Sequence, residues 1–246
     1  MITRYTKNEI EIMKQGGAIL NQILEELKNA TKEGITSIEL DNLARSKIKE
    51  QNVTPSFLHY RNFPAALCVS LNDEIVHGIP RNIVIKKGDL VSLDLGIKHN
   101  GLNVDKALSF VLNENEPQKE KFLNTVKLAL NQAIKNAKVG HKMGAISNVI
   151  QKTIESGGFS VAKGLFGHGV GKKVHEDPMV PNFGEKDQGI PLTNGMVLAI
   201  EPMAMQGKGD IKILSDGFSI ASCDGSLSCH FEETVAITDK GPIVLT

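Results

Sequence analysis

Apolar residues open the chain at helical spacing: Ile10, Met13, Gly17, Leu20, Leu24 and Leu27 recur every three or four positions. Thr6 followed by Glu9 has the spacing of a capping box, so a helix is expected from about residue 7 to 28. Thr36 and Glu39 repeat that signal ahead of Leu40, Leu43, Ala44 and Ile48, which predicts a second helix. Pro117 is placed to begin a third carrying Phe122, Val126, Leu130 and Ile134, and Ile146, Val149, Ile150 and Ile154 stripe a fourth. After each helix pair the pattern shortens to that of strands, at 67–71, 90–96 and 102–110, then at 197–201 and 230–238.

The second helix pair echoes the first. Lys28-Asn29-Ala30 matches Lys135-Asn136-Ala137, Gly34 matches Gly140, and Leu40, Asn42, Leu43 and Ile48 fall opposite Ile146, Asn148, Val149 and Ile154. The offset stays at 106 or 107 residues. Two helix-pair-plus-strands halves, about 1–115 and 116–246, are therefore expected. Neither half has enough core to cover its own sheet, so both are expected to join in one α+β domain spanning 1–246. A site at their junction would be concave and draw on both.

Composition narrows the chemistry. Lys plus Arg and Asp plus Glu both number 28, so the zero net charge gives no footing for nucleic-acid binding by counterion release. Residues 1–14 lack the apolar core of a signal peptide, and no run reaches the ~20 apolar residues that span a bilayer; a soluble, cytoplasmic protein without a membrane partner is expected. Cys68, Cys223 and Cys229 form no Cys-x-x-Cys pair, which argues for reduced thiols and against a structural zinc site. With no Trp and 4% aromatics, the core must rest on aliphatic side chains.

Asn100-Gly101 between two alternating runs is a two-residue hairpin signal. With those residues as the loop, Asp94 pairs with Ala107, and Asp105 lies on the same face as Asp94, roughly 7–8 Å away. Two such carboxylates suit shared hard cations, although a solvated hairpin face explains the pair equally well. His168 stands among the small residues of Gly167-His168-Gly169-Val170-Gly171, and His175 precedes Glu176-Asp177-Pro178; a lone His is more often structural than a ligand. Glu201 ends an apolar run before Pro202, and Glu232 lies among Phe231, Val235 and Ile237. A buried charge there costs several kcal/mol unless paired or metal-bound. Two Asp, two Glu and one His form an oxygen-rich set suited to two divalent ions. No Walker loop or G-x-G-x-x-G fingerprint supports nucleotide chemistry.

In this order and setting the five residues resemble the type I methionine aminopeptidases, M24-type metallopeptidases of the pita-bread fold. The likeness runs along nearly the whole chain, through residues 68–80, Leu93-Asp94-Leu95-Gly96 with Asp105, residues 167–171 with 175–178, Ile200-Glu201-Pro202-Met203, and residues 224–228 leading to Phe231-Glu232. It implies hydrolytic removal of the initiator methionine from nascent chains at the ribosome, favouring a small second residue. Two divalent ions (Co, Mn, Fe, Zn or Ni) would be held by Asp94, Asp105, His168, Glu201 and Glu232, with Glu201 as general base. By motif position, His175 would steady the polarised carbonyl and His77 the scissile amide. The methionine pocket would fall on Phe57, Tyr60, Phe63, Cys68, Val174, Met203, Phe218 and His230. Asn72 and Ser228 would lie at a monovalent-cation site, and a monomer is expected. The 31-residue spacing from Glu201 to Glu232 leaves no room for the helical insertion of the second class, and a first helix near residue 7 leaves no N-terminal zinc extension.

The chain departs from the family pattern at Lys106 and Ala107 after Asp105, at Phe218 where Trp is common, at Cys229 and His230 before Glu232, and at Glu233. None removes a ligand. Strand alternation points Lys106 away from Asp105, whereas His230 shares a face with Glu232 and is expected to narrow the pocket or alter its pH response. Two other readings are a prolidase-like enzyme cutting X-Pro bonds, disfavoured by the lack of an extra N-terminal domain, and a non-catalytic binding module, disfavoured by the five intact ligands.

Overall fold

A computed structural model describes residues 2–114 and 116–246; Met1 and Asn115, which bound the expected first half, lie outside the described residues. The first half runs α1 (Lys7–Ala30), α2 (Ser37–Glu50), β1 (Thr54–Pro55), a short 3-10 turn (Tyr60–Asn62), β2 (Leu67–Leu71), β3 (Glu74–Val76), β4 (Leu90–His99) and β5 (Leu102–Val111). The second runs α3 (Pro117–Asn136), α4 (Met143–Ser156), β6 (Ser160–Val161), β7 (Phe166–Gly169), β8 (Glu176–Pro181), β9 (Val197–Ile200), β10 (Met203–Met205), β11 (Ile211–Ile213), β12 (Ile220–Ser222), β13 (Ser228–His230), β14 (Glu233–Thr238) and β15 (Gly241–Val244).

Local chemistry sets the helix ends. Thr6 and Thr36 each accept from the backbone of the Glu three residues on, while that Glu reaches back to the Thr amide; both capping boxes are closed. Pro117 occupies the first turn of α3, where its missing N–H costs nothing. The helices cover one side of antiparallel sheets. Met13, Leu20, Leu24 and Leu27 of α1 pack with Leu40 and Ala44 of α2 onto Leu93, Leu95, Ile97 and Val104. In the second half Phe122, Val126, Ile146 and Ile150 pack onto Leu198, Ile200, Val235 and Ile237. Each fully buried large side chain contributes ~1.5–3 kcal/mol, so both halves carry a substantial aliphatic core.

The halves match in detail, as the repeat predicts. Gly34 and Gly140, each at positive φ, lead into α2 and α4, and Thr36 bridges to Val84 as Lys142 bridges to Pro191. The sheet β1-β4-β2, with β5 on β4, meets the five-stranded sheet β15-β14-β9-β7-β8 where β5 approaches β14. At that seam Glu232 N–H donates to the Ala107 carbonyl at 3.0 Å. A side chain also clasps β5 to β14: the Asp105 N–H donates to Thr234 Oγ1 at 2.9 Å, and that hydroxyl donates back to the Asp105 carbonyl at 2.8 Å. The C-terminus closes over α1, where a Cβ on Gly17 would collide with the Leu245 carbonyl.

Two strands differ from expectation. The segment expected at 230–238 is broken at Phe231 and Glu232, because the chain changes partner there: His230 pairs with Met203 of β10, whereas Glu233 pairs with Ile200 of β9. The segment expected at 197–201 stops at Ile200 ahead of Pro202, which cannot donate to a ladder. Glu201 thus follows the end of β9, and Glu232 lies between β13 and β14, where its backbone pairs instead with Ala107 of β5.

Candidate metal centre

The hairpin register is the one required by an Asn100-Gly101 loop: His99 faces Leu102, Asp94 faces Ala107 and Gly96 faces Asp105. Asn100 and Gly101 both have positive φ, as such a turn demands. Asp94 and Asp105 are both buried, and Lys106 projects to the other face, where its ammonium meets Glu233 at 2.7 Å. Alternation also separates Glu232, buried with the aspartates, from Glu233, which pairs with Lys106 and accepts from Thr246 Oγ1 at 2.8 Å.

His168 comes in on β7. A Cβ at Gly167 would strike the Ala199 carbonyl, and one at Gly169 the Asp177 carbonyl, so the flanking glycines let β9 and β8 close tightly on the histidine. Its Nδ1 lies 3.0 Å from the Gly169 carbonyl, which assigns the proton there and leaves Nε2 a lone pair, 3.5 Å from Glu201 Oε1. Ligand atoms of Asp105, His168 and Glu232 all lie within 4.8 Å of one another.

Burial governs the electrostatics. Desolvation pushes the Asp94 carboxyl up to about 7, against a lowering hydrogen bond from Asp105. Desolvation and then the neighbouring carboxylates raise Asp105, Glu201 and Glu232 well above the usual carboxylate range. Burial lowers His168 to about 4 and His175 to about 3, so both rings are neutral near pH 7. Asp94 Oδ1, Asp105 Oδ1 and Glu232 Oε1 are buried without a hydrogen-bond partner. Orphaned carboxylate oxygens converging beside a neutral imidazole lone pair fit divalent cations, whose charge would favour the ionised carboxylates.

These groups floor a cavity of about 280 Å³. Phe57, Tyr60, Phe63, Cys68 and Phe218 line it, as do His77 and His175. The His168 and His175 rings meet edge to face at 4.2 Å, and Tyr60 stands 5.2 Å from His175. Three residues expected in the pocket do not line this cavity. Val174 packs with Phe57 and Cys68, Met203 lines an adjoining cavity with His77, His168, His175 and Glu201, and His230 turns its ring toward Asp94. Arg61, Ile213, Gly217 and Ile220 line the cavity but do not emerge from the sequence reading. The signal for three of them is the alternation of Ile211-Lys212-Ile213 ahead of Asp216-Gly217, a hairpin that brings β11 and β12 onto β3. The Asn72 carbonyl accepts from Ser228 N–H at 2.8 Å and from Ser228 Oγ at 3.2 Å.

The family model for metallopeptidase family M24 matches residues 11–239. The chain belongs to metallopeptidase family M24. Within it, a methionine aminopeptidase of Clostridium perfringens is 43% identical over 246 residues, covering 100% of this chain and 99% of that protein. The crystal structure of methionine aminopeptidase from Thermotoga maritima superposes with a TM-score of 0.97 at 38% identity, covering 100% of this chain and 99% of that one. The prolidase of Pyrococcus furiosus shares the fold at a TM-score of 0.77 and 26% identity, but this chain covers only 65% of it. M24 membership makes the chain a metal-dependent aminopeptidase of the pita-bread fold, in the type I methionine aminopeptidase branch.

Proposed function

We propose that this M24 enzyme removes the initiator methionine from new polypeptides, favouring a small second residue, with Asp94, Asp105, His168, Glu201 and Glu232 holding two divalent cations. The observation that carries the reading is the convergence of orphaned buried carboxylate oxygens and a neutral imidazole at the floor of an apolar cavity. That cavity lies at the small end of ligand pockets, ~300–1,000 Å³, and suits one side chain with its reacting atoms. When bound, the cations would polarise the scissile carbonyl and lower the pKa of water.

The protein's own groups do the rest. Phe57, Phe63, Cys68 and Phe218 give a thioether polarisable and aromatic contacts. Glu201, in its ionised form, takes a proton from the attacking water at a carboxylate oxygen and hands it to the departing amine. His175 donates to the substrate carbonyl oxygen and His77 hydrogen-bonds the scissile amide as it becomes an amine. His77, His168 and His175 border the space beyond the scissile bond, where the second residue would sit. Residues 1–246 act as one catalytic domain, a cytoplasmic monomer working on chains emerging from ribosomes. A monovalent cation would bind at the Asn72 carbonyl beside Ser228. None of the helices among the described residues is long and apolar enough to cross a membrane.

Metal-stripped protein reloaded stepwise with Fe, Mn, Co or Zn should release Met from Met-Ala peptides and leave X-Pro peptides uncut. Cleavage confined to X-Pro bonds, or no turnover with any of these ions, refutes the proposal.

A further inference from the structure

His230 ends β13 and is 1% exposed, and its backbone is held on both sides. Ser109 Oγ donates to its carbonyl at 2.6 Å, and its amide faces the same hydroxyl at 3.3 Å. The backbone is therefore fixed where the side chain leaves it. Its Nε2 stands 3.8 Å from Asp94 Oδ2, too far for a hydrogen bond. Neither ring nitrogen closes a hydrogen bond of good geometry, and Asp94 Oδ1 is likewise unpartnered. Buried polar groups left unpaired destabilise by ~1–3 kcal/mol each, and the orphaned Nε2 faces Asp94 Oδ2 across this gap with no hydrogen bond to close it. A single cation bonded at ~2.0–2.2 Å to each atom spans up to ~4.3 Å, and the gap falls within that reach.

We propose that His230 supplies an imidazole nitrogen to the divalent cation held by Asp94. The inference rests on the dinuclear reading above and extends it: the centre has an imidazole on each side, His168 on one and His230 on the other. A carboxamide at this position would offer only a hard amide oxygen, whereas imidazole nitrogen favours Zn, Fe and Co over Mg and Mn. His230 is thus the feature that shifts this chain's metal preference, and its failure to line the substrate cavity follows from the ring being turned to Asp94.

X-ray absorption of the protein stripped with chelator and reloaded with two equivalents of Zn(II) or Co(II) counts imidazoles per ion. Wild type should average one imidazole per ion and His230→Gln half of that, with calorimetry showing one of the two ions bound about tenfold more weakly. Circular dichroism of His230→Gln checks that the fold is kept; should it be lost, the wild-type count decides alone. An average of half an imidazole per ion in wild type, or equal counts in wild type and a folded His230→Gln, overturns the inference. Wild type that binds no ion at all overturns the dinuclear reading itself, a distinguishable result.

Discussion

Thr234→Val tests the seam that brings the halves together. Thr234 is fully buried, and its hydroxyl accepts from the Asp105 N–H and donates to the Asp105 carbonyl. Valine keeps the volume and removes both bonds, leaving a backbone donor and a backbone acceptor buried without partners, each costing ~1–3 kcal/mol. Partial relaxation of β5 offsets some of this, so a loss of ~2–4 kcal/mol is expected. In a chain of this size ~1 kcal/mol moves Tm by ~2–4 °C, which places the midpoint roughly 4–16 °C lower. Asp105 and Glu232 would also lose their mutual alignment, and loss of such a supporting bond weakens metal binding ~10–100-fold. Thermal unfolding of the metal-free protein and calorimetric titration with Co(II) measure the two effects separately. Thr234→Ser, which keeps the hydroxyl, should lose only ~1 kcal/mol and retain ion affinity. Should Thr234→Val unfold within ~0.5 kcal/mol of wild type and bind the ion as tightly, the clasp does not hold the seam and the argument fails.

Glu201→Gln should keep the fold while turnover of Met-Ala peptides drops ~10²–10⁴-fold, and undiminished turnover would remove Glu201 from acid–base work. Metal removal should make stability fall with rising pH. Asp94 is raised to about 7 in the folded chain, so its stabilising contribution is full below the ordinary carboxylate range and is lost as pH climbs through 7. Tm of the metal-free protein should therefore decline between about pH 4.5 and 7.5. The decline should be shallower in Asp94→Asn and opposed by added divalent ion, which needs deprotonated ligands. A flat profile in the metal-free wild type contradicts the burial argument.

Local rules carried far in this chain. Capping boxes located α1 and α2 because a Thr and a Glu three residues apart satisfy each other without help from the rest of the fold. The Asn100-Gly101 turn set the register of β4 on β5, and period-two alternation then placed Asp94 with Asp105 and turned Lys106 away. The likeness of the two helix pairs implied that partners for those aspartates come from the second half. Expectations failed where an outcome depended on which strand a segment pairs with. Residues 230–238 read as one strand because apolar alternation continues through Phe231, but pairing passes from β10 to β9 there, and that switch turns Glu232 inward and His230 toward Asp94.

The sequence by itself determined the four helices and the register of the β4–β5 hairpin, with Asp94 and Asp105 on one face and Lys106 on the other, since these follow from contacts a few residues apart. Tertiary structure alone decided that Asp105 and Glu232 share a seam closed by Thr234, that the 211–222 hairpin brings Ile213 and Ile220 to the cavity, and that the His230 ring turns to Asp94. Those outcomes depend on how separately formed sheets pack edge to edge, where a shift of a few ångströms leaves every local pattern intact but changes which side chains meet.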